Sequence, residues 1–185
     1  NEILRKKIEK KLGKTVKAVA PITPTQRYMY KAYRDNKVGD NFLQYVYSIN
    51  CEYSYNNLKG AVSLLPLQYD ALTSQFVECD KIIYQTTFYE KEIKVEEVYI
   101  ATQDEMKEFM NMDVINGFDF ENGPLIHFTV FIFPSGEKKL TCSVSHMIVD
   151  GWSMDLILKT LTRNYIQLLN GAKIFELKNV IFALN

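Results

Sequence analysis

The chain has 185 residues, 47% of them hydrophobic and 13% aromatic. That is enough to build a sizeable core, and it excludes a disordered chain, which needs low hydrophobicity and high net charge. Its 22 basic and 22 acidic residues cancel to a formal charge of zero, which removes the electrostatic footprint of a nucleic-acid binder. No apolar run approaches the ~18 residues of a membrane span. The longest, Leu125 to Phe133, is interrupted by His127 and Thr129.

Residues 1–17 carry seven basic and two acidic residues. Asn1 as N-cap, Leu4, Ile8 and Leu12 at four-residue spacing, and Gly13 as a stop predict a short amphipathic helix. It reads as a locally packed helix with a solvated face or as a linker or docking helix, with the main unit at 18–185. Thr23-Pro24-Thr25-Gln26 has the form of a capping box with proline at the first helical position, and predicts a helix over 24–35. The alternation in 41–51 predicts a strand. Ser54 is expected to cap a helix through Leu58, Val62 and Leu65, kinked or ended by Pro66. Residues 73–78 and 81–88 read as a hairpin turning near Cys79-Asp80, and 93–100 as a strand. An acidic helix follows over 102–112. Asn116-Gly117 and Asn122-Gly123-Pro124 are turn signals. Residues 125–133 and 138–146 form the strongest strand pair. A helix over 152–169 places Leu156, Ile157, Leu161, Tyr165 and Leu168 on one side, and Gly171 closes it. Strands and helices alternate throughout. The fold class expected is α/β (α+β), with a mixed or largely antiparallel sheet flanked by helices.

Cys51, Cys79 and Cys142 are odd in number and far apart, and read as free thiols of a reducing cytoplasm. No apolar segment follows the basic start, so no signal peptide is expected. The ends, Asn1 and Asn185 after the apolar run 180–184, read as cut ends of a longer polypeptide.

The chemistry is concentrated in Ser145-His146-Met147-Ile148-Val149-Asp150-Gly151-Trp152. A strand is expected to end at His146 and a helix to begin near Trp152. This geometry presents a histidine, able to exchange protons near neutral pH, at the floor of a cleft. Gly151 would permit positive φ and close approach of backbone to a ligand. With two histidines in the chain, a metal site lacks ligands. A Cys142–His146 dyad fails because four residues of strand span ~13 Å. Ser145 and His146 alternate across the sheet and cannot form a nucleophile–base pair. A lone histidine beside an Asp-Gly turn also fits a purely structural role.

Ser145-His146-xxx-Asp150-Gly151 resembles the His-His-xxx-Asp-Gly signature of the condensation domains of nonribosomal peptide synthetases, within the chloramphenicol-acetyltransferase-like superfamily. Three more stretches match in order. Ile22-Thr23-Pro24-Thr25-Gln26 is similar to Leu-Thr-Pro-x-Gln. Pro66 to Phe76 falls where the family has Arg-His-Glu-x-Leu-Arg-Thr-x-Phe. Gly117-Phe118-Asp119-Phe120-Glu121-Asn122-Gly123-Pro124-Leu125 is similar to Pro-Phe-Asp-Leu-x-x-Gly-Pro-Leu. Asp150-Gly151-Trp152-Ser153 and the following helix also fit.

The resemblance implies a two-lobed fold with a tunnel between the lobes, of which this chain is the N-terminal lobe without its C-terminal partner. It implies amide-bond formation, in which an acceptor amine attacks a donor thioester. Both substrates ride on phosphopantetheine arms of carrier-protein domains beside an adenylation domain, in the cytoplasm and in pathways such as antibiotic biosynthesis, with no tightly bound cofactor. His146 would be the general base, or would position the amine and stabilise the tetrahedral state. Asp150 would tie the loop to an arginine, and the Gly151 N–H would help hold the oxyanion. Ser145, Trp152 and Ser153 would line the substrate path. This lobe by itself is expected to be inactive.

The departures are specific. Ser145 replaces the first histidine. Gln68, Tyr69 and Asp70 stand where the family has Arg-His-Glu, Thr73 where it has the second arginine, and His127 where an arginine is common. Without that arginine, Asp150 must find another donor, take a proton or be exposed. An aspartate in place of Ser145 would mark a cyclisation domain. An epimerisation domain shares the signature, but Gly151-Trp152-Ser153 is closer to condensation and starter types. The losses also admit a degenerate domain that recruits a partner, or a stand-alone acyltransferase of the superfamily.

Overall fold

The structure, a computed structural model, describes residues 2–35, 41–89 and 91–184, with side chains as far as Ile181. In chain order the elements are α1 (Glu2–Leu12), β1 (Ala18–Pro21), α2 (Pro24–Arg34), β2 (Phe42–Ser48), α3 (Tyr55–Ser63) and α4 (Leu65–Gln68). A 3-10 turn (Asp70–Thr73) leads to β3 (Gln75–Cys79), β4 (Ile82–Thr87), β5 (Lys94–Tyr99), α5 (Gln103–Asn116), β6 (Ile126–Ile132), β7 (Lys138–Ser145), α6 (Gly151–Leu169) and α7 (Ile174–Leu184). The strands form two sheets. One is antiparallel in the order β1-β4-β3, and the other is mixed in the order β2-β7-β6-β5, where β5 runs parallel to β6.

Period-two side chains give the mixed sheet two different faces. Ile126, Phe128 and Val130 of β6, with Cys142 and Val144 of β7, enter the main core with Leu58 and Val62 of α3 and Met154, Ile157 and Leu161 of α6. On the other face Phe131 packs with Met106 of α5, and Phe109 meets Phe131 edge-on at 5.3 Å. A third cluster seats α1 through Ile8 against Val16, Cys79 and Phe88 on the β1-β4-β3 sheet.

Local chemistry explains the element ends. Thr23 accepts from the Gln26 amide at 3.1 Å and Gln26 returns a bond to the Thr23 amide at 3.0 Å, completing the capping box. The Ser54 and Thr102 hydroxyls cap α3 and α5. Pro66 ends nothing by itself: α3 stops at Ser63, and Pro66 sits in the first turn of α4, where its missing N–H has no role. Asp119 accepts from the Glu121 and Asn122 amides at 2.9 and 3.0 Å, and this turn lets Phe118 stack on Phe42 and Phe120 on Tyr33.

Several expectations are corrected. β1 and α7 were not anticipated. β1 is four residues long and ends in Pro21, which an edge strand tolerates. The hairpin turns on Asp80 and Lys81, one residue later than expected, with φ of 53° and 65° at the two positions, as a two-residue I′ turn requires. α5 continues to Asn116, four residues past the expected end. Leu156 is 53% exposed, because one residue before Ile157 lies about 100° away around the helix. The N-cap expected at Asn1 lies outside the described residues, as does Asn185.

Candidate functional site

β7 ends at Ser145, and a tight turn carries the chain to α6. The Ser145 carbonyl accepts from the Ile148 amide at 3.2 Å, and its fully buried hydroxyl accepts from the Met147 amide, also at 3.2 Å. Ser145 therefore closes the turn from below, and the structure does not bring it to the open side where a substrate would lie. His146, the next residue, is exposed. Its Nδ1 lies 2.8 Å from the Val149 carbonyl oxygen. A carbonyl can only accept, so Nδ1 carries the proton and Nε2 is left as the basic nitrogen.

The turn is braced from α2. Gln26 Nε2 donates to the Met147 carbonyl at 3.0 Å and to Gln85 Oε1 at 3.0 Å, while Gln85 Nε2 donates to Ser74 Oγ at 2.8 Å. The His146 amide donates to the Asn41 carbonyl at 2.8 Å, and Asn41 Nδ2 donates to the Met29 carbonyl at 3.1 Å. The sequence marks Gln26 as a capping residue and as the end of the Leu-Thr-Pro-x-Gln match, but not as a brace of this turn. Its partner lies 121 residues further along the chain, a separation that carries no local signal.

Asp150 is exposed and caps α6, accepting from the Ser153 amide at 2.8 Å. The hydrogen bond from Ser153 holds its carboxyl below the usual range, with a smaller contribution from His146. Asp150 thus resolves the missing arginine by exposure and by a helix amide. The residues in the arginine positions are engaged elsewhere: Gln68 accepts from Asn164 Nδ2 at 3.0 Å, and buried Thr73 accepts from the Phe88 amide at 2.9 Å and donates to the Asp70 carbonyl at 2.8 Å.

The expectation of a positive φ at Gly151 is corrected. Gly151 opens α6 with φ outside that region, and a Cβ there would meet nothing within 4 Å. Space in front of the helix, not backbone strain, distinguishes the position. The Gly151 and Trp152 amides head the helix without intrahelical acceptors. Trp152 is 90% exposed.

Two hollows flank the start of α6. One, shallow and about 320 Å³, is lined by His146, Thr23, Gln26, Met29, Asp150 and Ser153 among others, but not by Trp152. The other, about 760 Å³, is a mainly apolar groove between β2 and α6 that includes Tyr45, Tyr47, Leu140, Gly151, Met154 and Tyr165. The groove is larger, but His146 lines only the shallow hollow.

A second polar group lies under α5. Asp113 Oδ2 is 2.9 Å from His127 Nε2 and accepts from Ser143 Oγ at 2.7 Å and Gln44 Nε2 at 3.4 Å. Burial pushes the Asp113 carboxyl up, but these donors outweigh it and hold the group below the usual range. Cys142 is fully buried, which pushes its thiol far up and leaves it unreactive. Cys51 and Cys79 are also free thiols. Among the described residues, no three His, Cys, Asp or Glu side chains group as a metal would need, and no helix is long and apolar enough to cross a membrane.

A mixed sheet covered by helices in this order is the chloramphenicol-acetyltransferase-like fold. The family model described as Condensation domain matches residues 16–182, and the chain belongs to that family. It is 29% identical over 160 residues to surfactin synthase subunit 2 of Bacillus subtilis (strain 168), covering 82% of this chain and 4% of that protein. It is 27% identical over 121 residues to a nonribosomal peptide synthetase of Metarhizium robertsii, covering 57% of this chain and 2% of that protein. The fold matches the starter condensation domain of rhizomide synthetase with a TM-score of 0.75 at 15% identity, over 84% of this chain and 39% of that one. The first condensation domain of the CDA synthetase gives a TM-score of 0.75 at 16% identity, over 86% and 42%. The chain thus spans less than half of these solved domains and a few per cent of the curated synthetases.

Proposed function

We propose that this chain is the histidine-bearing N-terminal lobe of a domain that joins a donor acyl or peptidyl thioester to an acceptor amine, both delivered on phosphopantetheine arms of carrier-protein domains. An adenylation domain of the same assembly would load the acceptor, and the assembly would work in the cytoplasm. The observation that carries this reading is the Nδ1–Val149 bond, which leaves a basic Nε2 on an exposed ring in an open hollow. In the reaction the amine nitrogen bonds to the thioester carbon and the carbon–sulfur bond breaks. Nε2 takes the proton from the attacking amine and passes it to the departing thiolate. Free amides at the head of α6 would stabilise the transient oxyanion. Ser153, which lines the hollow, would border the substrate path, whereas Trp152 lines neither hollow.

The test is His146→Ala in the parent polypeptide, with product on the carrier protein measured by mass spectrometry. Loss of about 10²–10⁴-fold is expected for a general base, and undiminished product would remove His146 from the chemistry. Because the chain spans only part of a solved condensation domain, the lobe by itself should form no detectable amide.

One observation favours a second reading. Thr73 and Gln68 make no contact with Asp150, as their hydrogen bonds lie elsewhere. A lobe without the arginine tie suits a degenerate domain that recruits a carrier protein or partner enzyme. It predicts unchanged product with His146→Ala, together with carrier binding in titration calorimetry.

A further inference from the structure

We propose that a lysine-lined pocket, separate from the histidine hollow, binds a multiply charged phosphate-type anion. The pocket, about 560 Å³, is lined by Lys14, Lys59, Lys91 and Lys178, with Glu92 as the acid among its described lining residues. A hollow of about 510 Å³ adjoins it through Lys59, Lys91 and Glu92 and adds Lys94. Neither shares a lining residue with the hollow that holds His146.

The lysines come from separate parts of the chain. Lys14 follows α1, Lys59 lies on α3, Lys91 precedes β5 and Lys178 lies on α7. Only the tertiary structure collects them, on a protein whose total charge is zero. Several lysines elsewhere are neutralised by an acid. Lys7, Lys17, Lys107 and Lys159 each have an aspartate oxygen within 2.8 Å. In the pocket, Lys94 is paired with Glu96 at 2.7 Å, but Lys14, Lys59 and Lys178 contact no carboxylate among the described residues. Lys91 is half-buried, and its Nζ donates to the Asn122 carbonyl at 2.5 Å. Burial first, then the nearby charge of Lys14, hold it below the usual lysine range. The site is one anchored ammonium with unpaired ammonium groups around it, over a floor that includes Pro66, Phe88 and Ile93.

The shape decides the class of ligand. A cavity of this size is in the range of small-molecule sites, whereas an acidic protein would meet a broader and flatter face. Lysine heads are flexible point charges that follow a chain of phosphates without demanding one planar geometry. At an exposed site such attraction is screened by salt, so affinity should rise with ligand charge and fall with ionic strength.

The experiment is titration calorimetry of the chain with inorganic tripolyphosphate at low salt, beside Lys59→Gln/Lys178→Gln. Both lysines are exposed, so the thermal midpoint of the variant should match that of the parent. Saturable binding by the parent, weakened at least about tenfold in the double variant and about tenfold by moderate salt, is expected. An ATP arm separates the sources. Affinity equal to that of tripolyphosphate assigns recognition to the phosphate chain, and tighter binding assigns it to a nucleotide. Absent tripolyphosphate binding, or equal binding by the double variant, would overturn the proposal. Binding of polyglutamate in place of tripolyphosphate would also overturn it and assign the face to an acidic protein.

Discussion

Asp150 accepts from the Ser153 amide at the start of α6 and is exposed, so its contribution is local: it satisfies a helix amide and fixes where the helix begins beside His146. Asp150→Asn keeps a cap acceptor and should leave the thermal midpoint close to that of the parent, whereas Asp150→Ala removes it and should lower the midpoint at pH 7. The folded carboxyl lies below its usual range. Its stabilisation is therefore complete above the unfolded pKa and is lost as pH falls through the folded one, so the gap between parent and Asp150→Ala should close in acid. Equal midpoints for the parent and Asp150→Ala at pH 7 would refute the capping role. The same residue shows how far a motif can be read. The sequence showed Asp150 and the absence of an arginine at the position of Thr73. It could not show which of three remedies applied, because exposure and amide partners depend on how α6 is seated.

Elements were legible where their signals were short-range. The capping box of α2, the β6–β7 pair and α6 follow from spacings within a few residues, and each formed. Those missed are β1, whose four residues are held by pairing with the distant β4, and α7, which follows the stop at Gly171. The β3–β4 turn was displaced because neither Asp80 nor Lys81 is glycine, although both adopt positive φ. Lys81 bears the larger mismatch, since a long L side chain in the left-handed region costs roughly 1 kcal/mol or more, partly offset by glycine's greater unfolded-state freedom. Lys81→Gly should thus raise stability by a few tenths to about 1 kcal/mol in denaturant unfolding. A loss of stability would show that the lysine makes a compensating contact.

At the scale of the whole molecule, Asp113 ties α5 to three strands at once, through Gln44 of β2, His127 of β6 and Ser143 of β7. Its carboxyl is held low by donors that outweigh burial, so it contributes stability above an unfolded value of about 3.9 and loses it as pH falls through the folded value. Asp113→Asn should lower stability at pH 7 by about 1–3 kcal/mol, the cost of poorly satisfied buried donors. It should also flatten the decline of stability between pH 5 and strong acid measured by urea unfolding. An unchanged acid slope would place that linkage on other carboxylates.

The sequence shows His127 as a break in an apolar run and a replacement for an arginine but not as a partner of Asp113, because Asp113 belongs to a helix whose docking the local pattern does not specify. By itself the sequence determined the class of fold, the order of the strong elements and the histidine loop, because hydrophobic period, caps and motif spacing act over a few residues. Only the tertiary structure decided that Gln26 braces the histidine turn, that Ser145 is buried beneath it, that Asp113 joins three strands and that distant lysines share one pocket. Those contacts join residues tens of positions or more apart, and they exist only once burial of the two sheets has brought their elements together.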